Sequence, residues 1–497
     1  MSFKYHVSSL KYNFVLYTGK MCQQSLFKDK DINKSSELDQ PLADVGNPVS
    51  QRCILKSIGN ALIGILNLIV FAFLDLLDFI LCLVYRLVDY LVEKERTPCY
   101  CYNGNKSKEG LSETLYSRKN FARDLVVVVV CFMKKHGKTG VDSVPEKSNC
   151  KFKHLGGRWS DCACHRCLSP DTEKLYVAVG GQDIRRKAST DQGGAARQRR
   201  RRAYLNCSSH SGSHSCASGM DVIFIHGFLS SSSFWTQTVY PRFSEAVKSN
   251  YRLFSVDLLG FGKSPKPINC LYTVEEHIDM IERSVFHPYG VKSFHLVAHS
   301  MGCIIALALA SKYPNALKSI TLLSPPCYPA PPGEQPSHFV LKRIAPKTIW
   351  PLLAFGSSIM SWYEHVGRTV CLVVCKNHRL WEWILKQLVR NRIVDYRIED
   401  TTRHTHFSAW HNFHSVICGT AQEMDKYLEV VGQTDCEVMI LHGKEDKVVS
   451  VDCSLAIKSR ISKTKLKVLD NADHVAVIMG RERILAKELE DLWASCE

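Results

Sequence analysis

The chain has 497 residues, 45% of them hydrophobic, and a formal net charge of +16. That length exceeds one average domain and allows two or three units, or one large α/β domain with additions. The charge does not indicate a nucleic-acid module: much of it sits in Arg185, Arg186, Lys187, Arg197 and Arg199 to Arg202, in a stretch with few apolar residues and no basic-aromatic recognition motif.

Residues 1–57 read as a variable extension. Ile58 to Tyr85, "IGNALIGILNLIVFAFLDLLDFILCLVY", is long enough to cross a bilayer, which takes about 20 residues. Asn67, Asp75 and Asp78 interrupt it. Asp75, Asp78, Cys82, Arg86 and Asp89 recur at helical spacing, so its second half has one polar stripe. Residues 58–92 are therefore a signal or anchor segment, or an amphipathic helix lying on a membrane or against the domain. The run starts later than a cleaved signal normally does. Arg52 and Lys56 precede it, and Asp89, Glu93 and Glu95 follow, which favours a cytoplasmic N-terminus and an exported domain.

Residues 93–173 form a poorly defined region containing cysteines. "LVVVVVCFM" (Leu125 to Met133) reads as a strand. "CACHRC" (Cys162 to Cys167) has zinc-type residues, but in one knot where zinc ligands usually come as two separated pairs, so no metal is expected there. The 21 cysteines are an odd number, and Cys303 and Cys436 read as plain buried thiols.

From Lys174 onward, short β-rich runs alternate with helical stretches, which predicts an α/β fold with a mostly parallel sheet. The runs are "LYVAV", "VIFIH", "LFSVD", "FHLVA", "ITLLS", "VMILH" and "LKVLD". Near-continuous apolar runs suit strands covered on both faces. The predicted organisation is a first core strand at 174–181, a basic low-complexity insert at 182–219, a core at 220–330 and 433–497, and a helical cap at 331–432.

Function in such sheets sits beyond the carboxyl ends of the strands. "FHLVA" leads into His299-Ser300-Met301-Gly302, "VMILH" into "GKEDKVV" with Asp446, and "LKVLD" into "NADH" with His474. Nucleophile, acid and base in the order Ser, Asp, His is the order of an α/β-hydrolase. "VAHSMGC" nearly spells G-x-S-x-G, with Ala298 in place of the first glycine. One methyl is a modest addition, and Gly302 meets the second small-residue demand, so the elbow is expected to form.

Residues 221–497 resemble an α/β-hydrolase. "DVIFIHGFLSSSSFW", "DLLGFGKSPKP" and "VAHSMGC" more narrowly resemble the plant BODYGUARD family, described as probable lysophospholipases of cuticle formation; the leader ending "LLDFILCLVYRLVDYLVE" is similar to that family too. The long N-terminal extension and the basic insert depart from the family pattern. The resemblance implies a serine ester hydrolase acting on lipid, a role in cuticle formation, and a place at the cell membrane or in the cell wall.

Ser300 would attack the ester, His474 would take and return the proton, and Asp446 would hold the imidazole in the correct tautomer. Asp470 and Asp473 compete for the role of acid. The N–H groups of Met301 and Phe228 would bind the oxyanion, each worth about 3 kcal/mol of barrier. His226 and Gly227 would shape that loop, and His442 is expected to end a strand.

Between Pro325 and Gln433 the aromatics Trp350, Phe355, Trp362, Tyr363, Trp381, Trp383, Phe407, Trp410 and Phe413 predict a cap suited to an acyl chain, although many would simply pack its core. "RHTHFSAWHNFH" (Arg403 to His414) adds four histidines that offer metal ligands or polar groups. The expected partners are a lipid acyl ester and a membrane, met through the apolar segment. No cofactor, metal, specific nucleic acid or obligate protein partner is expected. An acyltransferase building cutin-like polyester and a non-catalytic receptor are the alternatives.

Overall fold

The structure, a computed structural model, describes residues 48–93, 112–115, 158–164, 167, 169, 171, 173–180, 220–389 and 395–496. The run Leu125 to Met133 and the basic insert lie outside the described residues.

Seven strands form one sheet: β1 (Val177–Gly180), β2 (Met220–Ile225), β3 (Tyr251–Val256), β4 (Phe294–His299), β5 (Leu317–Leu323), β6 (Glu437–Gly443) and β7 (Lys465–Leu469). Their order is β1-β3-β2-β4-β5-β6-β7. β1 runs antiparallel to β3 and every other pair is parallel. Each strand overlaps one of the seven apolar runs, extended by three residues at most, at the start of β5.

Alternate side chains explain why those runs are continuous. Ile223, Ile225, Phe254, Leu296, Ala298, Ile320 and Ile440 pack on one face, against the helix Met301–Lys312. Val222, Phe224, Leu253, Val297, Leu323 and Leu441 pack on the other, with Trp493 at the far side.

A long N-terminal helix, α1 (Pro48–Glu93), precedes the sheet. The helix that follows β4 is α2 (Met301–Lys312). The cap comprises α3 (Pro336–Ile344), α4 (Leu352–Trp362), α5 (Glu364–Val373), α6 (His378–Val389), α7 (Asp395–Thr402) and α8 (His406–His411). The chain then returns to β6 and ends in α9 (Glu482–Ala494), which carries Trp493.

The polar stripe of α1 has a partner. Phe71, Leu74, Asp78, Cys82, Tyr85 and Asp89 are buried, and this stripe lies on the cap. Asp78 Oδ1 accepts from the N–H groups of His365 (2.8 Å) and Val366 (3.3 Å). Asp89 receives a two-pronged bond from the Arg368 guanidinium at 2.7 and 2.8 Å, and further bonds from Arg158 and Trp159 Nε1. Such charge-assisted forks fix geometry as well as adding energy. Asn67 Oδ1 accepts from Ile349 N at 2.9 Å. The opposite face turns outward and is apolar: Leu62, Leu68, Phe73, Ile80, Leu87 and Leu91 are 47–72% exposed. By length and composition Ala61–Glu93 is long and apolar enough to cross a membrane, and its polar stripe is docked on the cap.

Candidate active site

Ser300 lies in a tight turn between β4 and α2, with φ 52° and ψ −125°. Such a backbone is costly for a residue other than glycine and is held only by its surroundings. Ser300 N–H donates to Leu323 O at 2.9 Å, and Ser300 O accepts from Cys303 N–H at 2.8 Å. α2 crosses β2 so closely that a Cβ at Gly302 would stand 2.5 Å from His226 O and 2.8 Å from Ile225 O. Ala298 meets no such limit. It is fully buried between Ile225 and Leu322, and its carbonyl accepts from Cys303 Sγ at 3.3 Å.

The two small positions should therefore respond oppositely. Gly302→Ala forces α2 away from β2 and is expected to lower the melting temperature sharply and remove ester turnover. Ala298→Gly is expected to keep turnover within about twofold and cost about 0.5–1 kcal/mol of stability, the usual penalty for glycine inside a strand. Thermal unfolding and ester kinetics on the two variants check this.

Ser300 Oγ lies 3.0 Å from His474 Nε2, and His474 Nδ1 lies 2.7 Å from Asp446 Oδ2. With Nδ1–H donated to the carboxylate, Nε2 presents its lone pair to the serine hydroxyl. Asp446 Oδ1 accepts from the N–H groups of Val448 (2.9 Å) and Val449 (2.8 Å). Burial alone would raise the Asp446 pKa, but the adjacent His474 and bonds from His442, His474 and Val449 outweigh it and hold the carboxyl well below the usual range. The competing acids are placed elsewhere: Asp470 pairs with Lys444 at the surface, and Asp473 Oδ1 accepts from Val475 and Ala476 N–H. His442 ends β6, donates Nε2–H to Val449 O at 2.9 Å and accepts from Ser454 Oγ at 2.6 Å.

The loop after β2 packs on the serine. A Cβ at Gly227 would stand 3.1 Å from both Ser300 Cβ and His299 Nδ1. His226 is fully buried, and burial lowers its pKa. Its Nδ1–H donates to Gly227 O at 2.7 Å while Nε2 accepts from Leu258 N–H at 2.9 Å. It thus ties the loop bearing Phe228 to the loop after β3. Met301 opens α2, so its N–H belongs to the unpaired first turn.

Sequence reasoning missed two supporting residues. His299 Nε2–H donates to His474 O at 3.0 Å and its ring stacks on Phe234. Burial, then the neighbouring His474, pushes its pKa down to about 3, so it stays neutral. Asp257, at the end of the third strand run, accepts from Ser232 N–H (2.6 Å) and Lys263 N–H (2.8 Å) and sets the loops on either side. The only signal for either was its place at a strand end.

The cap approaches this site at Phe228, whose ring meets Phe261 and Phe413 edge-on at 5.6 and 6.2 Å. Phe413, Val340, Leu341, Tyr328 and Phe228 form one apolar cluster. Other cap aromatics are elsewhere: Tyr363 and Trp410 are buried, whereas Trp350 and Trp383 are 49% and 61% exposed. The four histidines of Arg403 to His414 are all buried but do not converge: His414 bonds Thr114 and Ser361 O, while His404 faces Cys371 and Cys375.

Asp400, on α7, is buried near Ser231, Asp257, Arg403 and Glu399, with no hydrogen-bond partner for Oδ2 among the described residues. Burial is the main cause that raises its pKa from 3.8 to about 7. The folded protein thus holds this proton more tightly than the unfolded chain. Its contribution is most favourable below the unfolded value and falls as pH rises to about 7. Asp400→Asn is expected to gain stability relative to the wild type across that window and keep a constant advantage above it, as read by urea unfolding at a series of pH values.

The sequence profile described as alpha/beta hydrolase fold matches residues 222–480. "Probable lysophospholipase BODYGUARD 1" of Arabidopsis thaliana is 40% identical over 474 residues, spanning 85% of this chain and 94% of that protein. The chain belongs to the BODYGUARD family of α/β-hydrolases. "Probable lysophospholipase BODYGUARD 4" of the same plant is 40% identical over 89% of this chain and 99% of its own length. Beyond the BODYGUARD proteins, "Monoacylglycerol lipase abhd6-B" of Xenopus laevis is 24% identical over 56% of this chain and 76% of its own. The likeness to the BODYGUARD proteins thus extends well beyond the hydrolase core.

Proposed function

We propose that the protein is a serine hydrolase that cleaves lipid carboxylic esters, with lysophospholipids as the substrate class, at a membrane surface. The observation that carries this reading is the hydrogen-bonded series Ser300, His474, Asp446 beyond the ends of β4, β7 and β6. His474 takes the Ser300 proton as Oγ attacks the carbonyl carbon, and the resulting imidazolium is stabilised by Asp446. The N–H groups of Met301 and Phe228 bind the oxyanion. His474 then returns the proton to the departing alcohol, leaving an acyl-serine that water, deprotonated by His474, hydrolyses to free fatty acid.

The apolar cluster from Phe228 to Phe413, Val340 and Leu341 supports an acyl chain lying between core and cap, since each buried methylene contributes about 0.8 kcal/mol. The names of the relatives support a lysophospholipid. The outward face of α1 supports a helix lying in the plane of the interface, its aspartates facing the cap and its leucines the lipid. A cuticle role and a site in the cell wall or at the cell membrane fit this family.

The test is product analysis with detergent-purified full chain, given lysophospholipids or monoacylglycerols with and without added hydroxy fatty acid. Free fatty acid is the expected product in both cases. Ester formed mainly on the added hydroxyl would make the protein a transferase. Ligand binding with no turnover on any ester would leave the receptor reading.

A further inference from the structure

The cysteine knot read from the sequence as metal-free acquires a fourth donor in the fold. Cys162, Cys164 and Cys167 meet His378, at the start of α6, and all four donor atoms lie within 4.8 Å of one another. His378 Nε2 is 3.3 Å from Cys164 Sγ and 3.5 Å from Cys167 Sγ. We propose that Cys162, Cys164, Cys167 and His378 form a structural zinc site that fastens the segment after α1 to the cap and to the hydrolase core.

The spacing suits that ion. A tetrahedron with Zn–S of about 2.3 Å and Zn–N of about 2.0 Å has sulfur–nitrogen edges of about 3.5 Å. Three sulfurs and one imidazole make a closed tetrahedral set, the kind that selects zinc for structure. Simple thiol hydrogen bonding accounts for less: the imidazole nitrogen has one lone pair, yet two sulfurs converge on it and a third stands beside them. One disulfide would leave the third sulfur and the histidine without a role.

The surroundings are arranged as around a metal. His378 Nδ1 is 2.7 Å from Glu382 Oε1, one turn along α6, and both residues are buried. A ligating histidine commonly donates its other N–H to a carboxylate, which fixes the tautomer and aims the free lone pair at the ion. Binding releases the three thiol protons to solvent, and a divalent ion with three thiolates keeps one negative charge. The Lys266 ammonium lies beside it, donating to the carbonyls of Cys167, Gly262 and Ser264 at 2.8–3.2 Å.

The site also sits where a staple is needed. No helix or strand is formed among the described residues between 158 and 176. Trp159 N–H donates to Glu93 of α1, Lys376 donates to Trp159 O, and Lys266 reaches back from the loop after β3. One ion would lock this irregular segment to the cap, beside the Lys266 bond that ties it to the loop after β3.

The test is the zinc content of the full chain purified in detergent without chelator, measured by plasma mass spectrometry. About one zinc per chain is expected, falling at least about tenfold in Cys164→Ser and His378→Gln. Glu382→Gln is expected to bind zinc about 10–100-fold more weakly. Cys371→Ser removes a donor from a second group, Cys371, Cys375 and His404, and should keep the zinc lost in His378→Gln. Cobalt loading of the wild type gives a reading that does not depend on whether a variant folds: the absorption of tetrahedral cobalt bound to thiolate is expected. Absence of zinc from the wild type after loading, iron in its place, a disulfide among the three cysteines, or zinc kept by His378→Gln and lost by Cys371→Ser would each overturn the proposal.

Discussion

Ser300→Ala is expected to lower kcat for ester hydrolysis by about 10^5- to 10^6-fold while leaving the protein folded. The loss follows from chemistry alone. Without Oγ no acyl-serine forms, and His474 has only water to activate, in a turn shaped for a side-chain nucleophile. The fold should tolerate the change because the elbow is held by backbone bonds, from Ser300 N–H to Leu323 O and from Cys303 N–H to Ser300 O. A residual rate from the oxyanion donors and substrate binding should remain. Kinetics with a short-chain ester, with thermal unfolding as the folding control, check both halves.

Asp446→Asn should cost about 10^4-fold in kcat and little in substrate binding, by a different route. The carboxylate has two duties: Oδ1 takes the N–H groups of Val448 and Val449, and Oδ2 takes Nδ1–H of His474. An asparagine whose oxygen stays with the two backbone donors turns its NH2 toward His474. Nδ1 must then accept, Nε2 carries the proton, and the lone pair that should receive the Ser300 proton is gone. His442 offers no substitute, because its ring is held between Val449 O and Ser454 Oγ. A loss confined to KM would mean that Asp446 only shapes the loop.

The sheet was legible because strands covered on both faces leave continuous apolar runs, and β2 to β6 are such strands. The tight turn at the candidate nucleophile Ser300 was legible despite Ala298, because the close approach is at Gly302, where a Cβ would strike His226 O. Asp446 and His474 could be chosen by strand-end position, but Asp470 and Asp473 stood at comparable places. Only the hydrogen bonds of the folded chain separate them. His299 and Asp257 act through backbone groups brought near by folding, so nothing local marked them.

The same reason applies on a larger scale to the front of the chain. The stripe of Asp78, Cys82 and Asp89 was visible, but Arg368, which meets Asp89, lies 279 residues later. The fourth donor to the cysteine knot lies 211 residues from Cys167. Patterns within one element could be read directly, whereas sites assembled from distant segments required the fold.

The most direct test of the central claim is labelling of the full chain with a fluorophosphonate, followed by peptide mapping. A serine activated by His474 should form one phosphonyl adduct, on Ser300, and Ser300→Ala and Asp446→Asn should suppress it. A folded, monodisperse protein that takes no adduct, or takes it on another serine, would contradict the assignment of Ser300 as the nucleophile.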